Sequence, residues 1–300
     1  MQASYLLDAQ AALGFVTSQR SHIESEVLER EYPEIKYSTL IPVDTQAPEF
    51  AASVTFFAQD HTGRAKFING KGSDVPLVNL SRSKFEQTVN MGGIGYDFSL
   101  EEIGAAQDAN VKLSTEGANA ARQAYEQHVD AVALSGEDQL GVEGFFDMTG
   151  VTSTAASKTF ATSTPQEILA ELNDELTAIY KGSLGVDMAD TIVLPLDIMG
   201  RLSSTQLAPE SDMMIIDLLR RSNIYTAETG RELNITGSHR LSGKAVIYRR
   251  DPAVVKMHMP MPLRFIAPQP VGLSIVTLGM YRFAPVNIRR PGAVRYLTGI

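Results

Sequence analysis

Hydrophobic and polar positions divide the chain into stretches of different period. Between Leu113 and Glu137 the residues Ala118, Ala121, Tyr125, Val129 and Val132 recur at gaps of three and four, the spacing of one helical face. Ser114 is the expected N-cap, Glu116 a first-turn acid and Gly136 the stop. No Pro interrupts the run, so one helix of roughly 30 Å is expected, long enough to cross a small domain. A second stripe, Ile168, Leu172, Leu176 and Ile179, follows Thr164, Pro165 and Glu167, which have the order of an N-cap, a first-turn Pro and a capping-box acid.

Extended patterns occupy much of the rest. "FAASVTFF" from Phe50 and "LVNLSRSKFEQTVNMGGIGYDF" from Leu77 are expected to pair as a long hairpin around the Gly- and charge-rich excursion "QDHTGRAKFINGKGSDVP". In the returning run Arg82, Lys84, Glu86, Thr88 and Asn90 share one face. Phe85, Val89 and Met91 share the other, interrupted by Gln87. That apolar face is thin, and an isolated two-stranded ribbon is marginal in water, so the hairpin needs a surface to lie on. Helices are expected around Ser21 to Glu31, Ser99 to Ala109, Leu196 to Leu202 and Asp212 to Arg221, with "DTIVLP" as a strand. The Ser/Thr-rich "TSTAASKTFATST" reads as a linker, and the C-terminal third is β-rich. The order of elements predicts a mixed α+β chain, not a doubly wound sheet.

Composition narrows the function. At 300 residues and 44% apolar content the chain can bury a sizeable core. No run of 18 apolar residues and no basic-then-apolar leader is present, so neither a membrane span nor a signal peptide is expected. With no Cys, disulfides, thiolate metal sites and a Cys nucleophile are excluded. A formal charge of −9 argues against a protein whose main task is gripping nucleic acid.

Candidate chemistry fails residue by residue. "FINGKGS" has Gly72 where a phosphate-binding loop needs Ser or Thr after the Lys, and reads as an exposed turn. "GGIG" at Gly92 to Gly95 lacks dinucleotide spacing and reads as a bulge or bend in a long strand. His22, His61, His128, His239 and His258 are scattered, with no metal-ligand spacing. "GSLG" at Gly182 to Gly185 reads as a helix C-cap and turn, and Met257, Met259 and Met261 as the core face of a strand. "NIRR", Asn287 to Arg290, reads as a solvated or interface turn. No catalytic, cofactor or metal residues are therefore assigned.

What remains is architecture. "GIGYDFSLEEIGAAQDANVKLSTEGANAARQAYEQHVDAVALSGE", the exit "LGVEGFFD", and the closing "RRDPAVVKMHMPMPLRF" and "RRPGAVRYLTGI" resemble segments of the major capsid proteins of tailed bacteriophages, in the branch similar to encapsulins. "GFFD" departs from the Leu-Leu-Asn expected after that Gly, but keeps apolar bulk and a turn former. The resemblance implies the tailed-phage capsid fold. Its parts would be an N-terminal arm at 1–49, an extended β-hairpin loop at 50–92, a peripheral domain with a long spine helix at 93–145 and 246–287, and an axial α/β domain at 146–245 and 288–300.

The implied function is a shell subunit, not an enzyme. It would assemble with itself into pentamers and hexamers of an icosahedral virion shell around double-stranded DNA, in the host cytoplasm, with scaffold, portal or decoration proteins as further partners and no membrane. Arg64, Lys66, Lys71, Arg82 and Lys84 on the hairpin are the candidate intersubunit contacts. An encapsulin-like nanocompartment around an enzyme cargo is the alternative, and an α/β enzyme or ligand-binding protein the second.

Overall fold

The computed structural model describes residues 33–62, 79–109, 113–207 and 213–300. The chain divides into two units, Met1–Glu34 and Ile35–Ile300, of which the second is described below. The helix expected around Ser21 to Glu31, His22, the "FINGKGS" turn and the loop residues Arg64, Lys66 and Lys71 lie outside the described residues.

A one-turn helix α1 (Tyr37–Leu40) and strand β1 (Val43–Asp44) come first. Tyr37, Leu40 and Ile41 are buried, so this part of 1–49 is built into the body. Next are β2 (Ser53–Thr62), β3 (Asn79–Thr88) and β4 (Asn90–Ser99), then helices α2 (Leu100–Ala109) and α3 (Leu113–Ser135). Because α3 starts at Leu113, Ser114 is inside its first turn and not at the N-cap. A Ser near a helix start marks the end only to within a residue or two, because the first turn's free N–H groups also accommodate its hydroxyl. The stripe is as read from its second member on: Ala121, Tyr125, Val129 and Val132 are buried, while Ala118 is half-buried.

The exit carries β5 (Gly136–Glu137) and β6 (Val142–Glu143), after which Phe145 and Phe146 enter the core. The expected Ser/Thr linker is instead structured. Its first residues form β7 (Thr152–Ala155), which pairs in parallel with a C-terminal strand, and Phe160 is 1% exposed. Strand pairing satisfies the backbone there, and a single aromatic anchors the turn, a signal that a Ser/Thr count hides. α4 (Pro165–Gly182) begins with the full capping box, Glu167 N–H donating to Thr164 Oγ1 and Thr164 N–H to Glu167 Oε2.

β8 (Thr191–Pro195), α5 (Leu196–Ser204), α6 (Ile215–Arg221), α7 (Ile224–Thr229), β9 (Asn234–Ser238) and β10 (Lys244–Tyr248) follow. The chain closes with β11 (Val255–His258), β12 (Met261–Phe265), β13 (Gln269–Val271), β14 (Ser274–Phe283), β15 (Val286–Ile288) and β16 (Val294–Thr298).

A mixed sheet in the order β7-β16-β10-β8-β9 divides two cores. Val193, Val246, Tyr248, Val294 and Tyr296 face a core shared with α3, whereas Ile192, Leu194, Ala245, Ile247 and Leu297 face a core closed by α4, α5 and α6. Strands that serve two cores read as continuous apolar runs, which is why "TIVLP" and "KAVIY" show no alternation. A second sheet pairs β14 with β4 on one side and with β12 and β13 on the other. Its inner face lies on α3, where the Tyr125 and Tyr281 rings meet edge to face at 4.7 Å.

Candidate assembly surface

The returning run expected as one strand changes partner at Val89. Before it, β3 pairs only with β2, from Ser53↔Thr88 to Thr62↔Asn79; after it, β4 pairs with β14. Met91, expected beside Phe85 and Val89 on a buried face, therefore belongs to another sheet and is 67% exposed. Cross-strand partners share a face, so Val54, Phe56, Phe85 and Gln87 form one side of the hairpin. The root of this side is tied to the body. Val89 N–H donates to the Ala52 carbonyl at 3.0 Å, Gln87 Nε2 donates to the Pro285 carbonyl at 2.6 Å, and the Arg289 guanidinium lies 5.0 Å from the centre of the Phe56 ring. Phe56 stacks on Phe85 at 5.2 Å.

The other side carries Arg82, Lys84 and Glu86, all exposed, with Phe57 opposite Lys84. Lys84 pairs with Glu86 at 3.1 Å, and Ser53 Oγ donates to Glu86 at 2.6 Å. These bonds, that from Ser53 first, hold the Glu86 carboxyl below the ordinary carboxylate range. The hairpin thus presents charge and an uncovered aromatic ring outward, with no second layer among the described residues.

The outer face of the β4/β14 sheet is also uncovered. Met91, Gly93, Gly95 and Asp97 share it with Arg282, Met280, Leu278 and Val276 by register. Glycines beside Leu278 leave that side chain 54% exposed, and Phe50, Ile266 and Val271 extend the apolar surface. The "GGIG" glycines do not mark a bulge, because β4 pairs with β14 without a register shift from Asn90 to Ser99. They mark close approach: a Cβ on Gly92 would lie 2.3 Å from the Tyr281 ring, and one on Gly95 would lie 2.8 Å from the Thr277 carbonyl oxygen.

Arginines of the closing motifs pair within the subunit. Arg249 and Arg290 both bond to Asp187, a carboxylate that is almost fully buried, while Arg250 donates to the carbonyls of Ser38 and Thr39. Within "NIRR" Arg290 is exposed, as a solvated turn requires, yet its guanidinium also bonds the buried Asp187 carboxylate, while Arg250 donates to the last carbonyls of α1. Asp187 was not singled out in the sequence; of the three Arg-Arg pairs in this acidic chain, two, Arg249-Arg250 and Arg289-Arg290, each supply it one guanidinium. Asp130 on α3 was likewise missed. It is 1% exposed and accepts from the backbone N–H groups of Lys36 and Tyr37 at 2.8 and 2.9 Å and from Arg240 Nε at 2.6 Å.

Titratable groups elsewhere serve packing. Burial pushes the Tyr125 and Tyr296 hydroxyls up to about 12, and Tyr296 donates to the Phe145 carbonyl at 2.6 Å, closing the C-terminal strand on the exit loop. Ser238 is buried and its neighbour His239 exposed, so they form no pair. Met257, Met259 and Met261 are buried as read, across β11 and β12, and "GSLG" is a C-cap turn with Leu184 at φ 54°. Among the described residues no three His, Asp or Glu side chains converge as a metal site, and no helix is long and apolar enough to cross a membrane.

A family model described as major capsid protein matches residues 63–300. The chain belongs to that family. Its fold is that of tailed-phage capsid proteins: it superposes on the capsid of Myoviridae phage XM1 with a TM-score of 0.79 at 18% identity, covering 94% of this chain and 98% of the other. The capsid of an empty GTA particle gives 0.62 at 13% identity over 96% and 97%. A virus-like particle from Pyrococcus furiosus gives 0.51 at 14% identity over 80% and 86%. No curated protein matches by sequence.

Proposed function

We propose that this capsid-family chain is the repeating subunit of a closed icosahedral shell, built from pentamers and hexamers around double-stranded phage DNA in the host cytoplasm. The observation that carries this reading is the hairpin of β2 and β3, which is tied at its root and carries Phe57 65% exposed on its outer side. Exposed aromatics on a two-stranded ribbon are stabilised when a neighbouring copy covers them.

The parts take the roles the resemblance implies. Residues 1–49 are the arm, anchored in the body by Tyr37, Leu40 and Ile41; 50–92 are the extended loop, 93–145 with 246–287 the peripheral domain, and 146–245 with 288–300 the axial domain. Arg82 and Lys84, with Arg64, Lys66 and Lys71, lie at intersubunit contacts. The pairing of the closing arginines with acceptors of their own subunit and the net charge of −9 fit a wall that encloses DNA without gripping it. The subunit has no catalytic role, and scaffold, portal and decoration proteins are its further partners.

The test is excision. Replacing 55–89 by a short Gly/Ser linker removes the buried Val89 but no member of either core cluster, so circular dichroism should show a folded chain while size-exclusion chromatography shows monomers or capsomers in place of particles. Full-sized particles from that variant would overturn the reading. Nucleic acid in particles of the intact chain supports a virion shell; a protein cargo instead marks a nanocompartment.

A further inference from the structure

His258 stands at the end of β11, 6% exposed, between two charged neighbours. Its Nε2 lies 3.3 Å from Arg289 Nη2, and its Nδ1 lies 3.5 Å from Asp44 Oδ2. Arg can only donate, so Nε2 must be the accepting, unprotonated nitrogen, and the ring is the neutral tautomer with its proton on Nδ1, which is near Asp44 but makes no hydrogen bond among the described residues. The same Arg289 lies over the Phe56 ring at the hairpin root, and its buried Nε finds no partner among the described residues. One guanidinium therefore joins a buried histidine of the body to an aromatic of the projecting hairpin.

We propose that His258 is a proton-operated latch on the hairpin root: neutral, it holds Arg289 against Phe56, and protonated, it releases that guanidinium and lets the hairpin swing. A proton on Nε2 converts the acceptor into a donor and sets two cations 3.3 Å apart, so the bond from Arg289 is lost and repulsion replaces it. Among the described residues, the charged groups acting on the ring are Asp44 on β1, Lys256 on its own strand and Arg289 after β15. Asp44 is already paired with Lys256, which limits its capacity to hold an imidazolium. Burial first, then Lys256 and Arg289, lower the His258 pKa against the pull of Asp44, so the latch opens below the ordinary value of 6.5. Loss of Arg289 leaves the root tied by Gln87 and by the backbone at Val89, which is a hinge and not a detached loop.

This deepens the shell reading, resting on it only for the hairpin's role, and its readout is the hairpin root itself, so failure here is separate from failure to form particles. Amide hydrogen exchange of the full-length chain at pH 8 and pH 5, corrected for intrinsic rates and referred to β8, should show protection of 53–59 and 82–88 falling about tenfold at the lower pH, the size of one hydrogen bond's net worth. His258→Gln retains an acceptor for Arg289 without titrating and should abolish the difference. Phe56→Leu removes the ring under the guanidinium and should loosen the root at both pH values, again without a step. Equal protection of the unaltered chain at the two pH values, or an undiminished step in His258→Gln, overturns the latch. If His258→Gln does not fold, an undiminished step in Phe56→Leu overturns it alone.

Discussion

Gln87 Nε2 donates to the Pro285 carbonyl oxygen at 2.6 Å, and this bond explains why a polar residue interrupts the thin apolar face of the hairpin. The interruption is the mounting point. Phe85 on its tip side is 49% exposed, while Val89 on its body side is 6% exposed, so Gln87 stands where the ribbon leaves the core.

Replacing Gln87 by Ala should cost little in global stability, about 1 kcal/mol, because one part-buried hydrogen bond is lost. It should accelerate amide exchange at 84–88 while leaving β8 and β10 unchanged. Uniform acceleration across both cores would mean that the hairpin is part of the cooperative unit.

Gly92→Ala should destabilise the subunit by about 1–3 kcal/mol in urea unfolding, since the new methyl meets the Tyr281 ring, itself wedged against Tyr125. Gly93→Ala is the control: its Cβ would meet only the Gly279 carbonyl oxygen at 3.4 Å, so folding should be nearly unaffected. Equal stability of the two variants would contradict the assignment of inner and outer faces.

Asp130→Ala leaves the Lys36 and Tyr37 N–H groups and the Arg240 guanidinium without their acceptor, at a cost of about 3–5 kcal/mol. Asp130→Asn keeps an acceptor but loses the charge, and should fall between. Thermal unfolding that ranks Asn with Ala would show that charge, not hydrogen bonding, is what the site requires.

The Asp44 carboxyl is held below its ordinary 3.8, first by the bond from Lys256 and then by that from the Gln46 N–H. A depressed folded pKa means that the unfolded state binds more protons, so the stabilisation is present above 3.8 and is lost as pH falls through the lower folded value. Asp44→Asn should flatten the stability profile in that acid range alone. An unchanged profile below pH 4 would remove Asp44 from the account.

Periodic features were legible because they depend on neighbours in sequence. The Val129 stripe of α3, the capping box of Thr164 and Glu167, and the core methionines need only local spacing and side-chain type. The hairpin's want of a partner was legible for the same reason, since Phe85 and Val89 are too few to cover a ribbon. Tertiary structure alone decided where non-local partners fall. Asp187 acquires two arginines from 62 and 103 positions away, Gly92 must be bare because Tyr281 crosses it, and Thr152–Ala155 becomes a strand because β16 offers an edge. Charge neutralisation, steric approach and strand pairing act through space, so no window of sequence contains both members of any of these pairs.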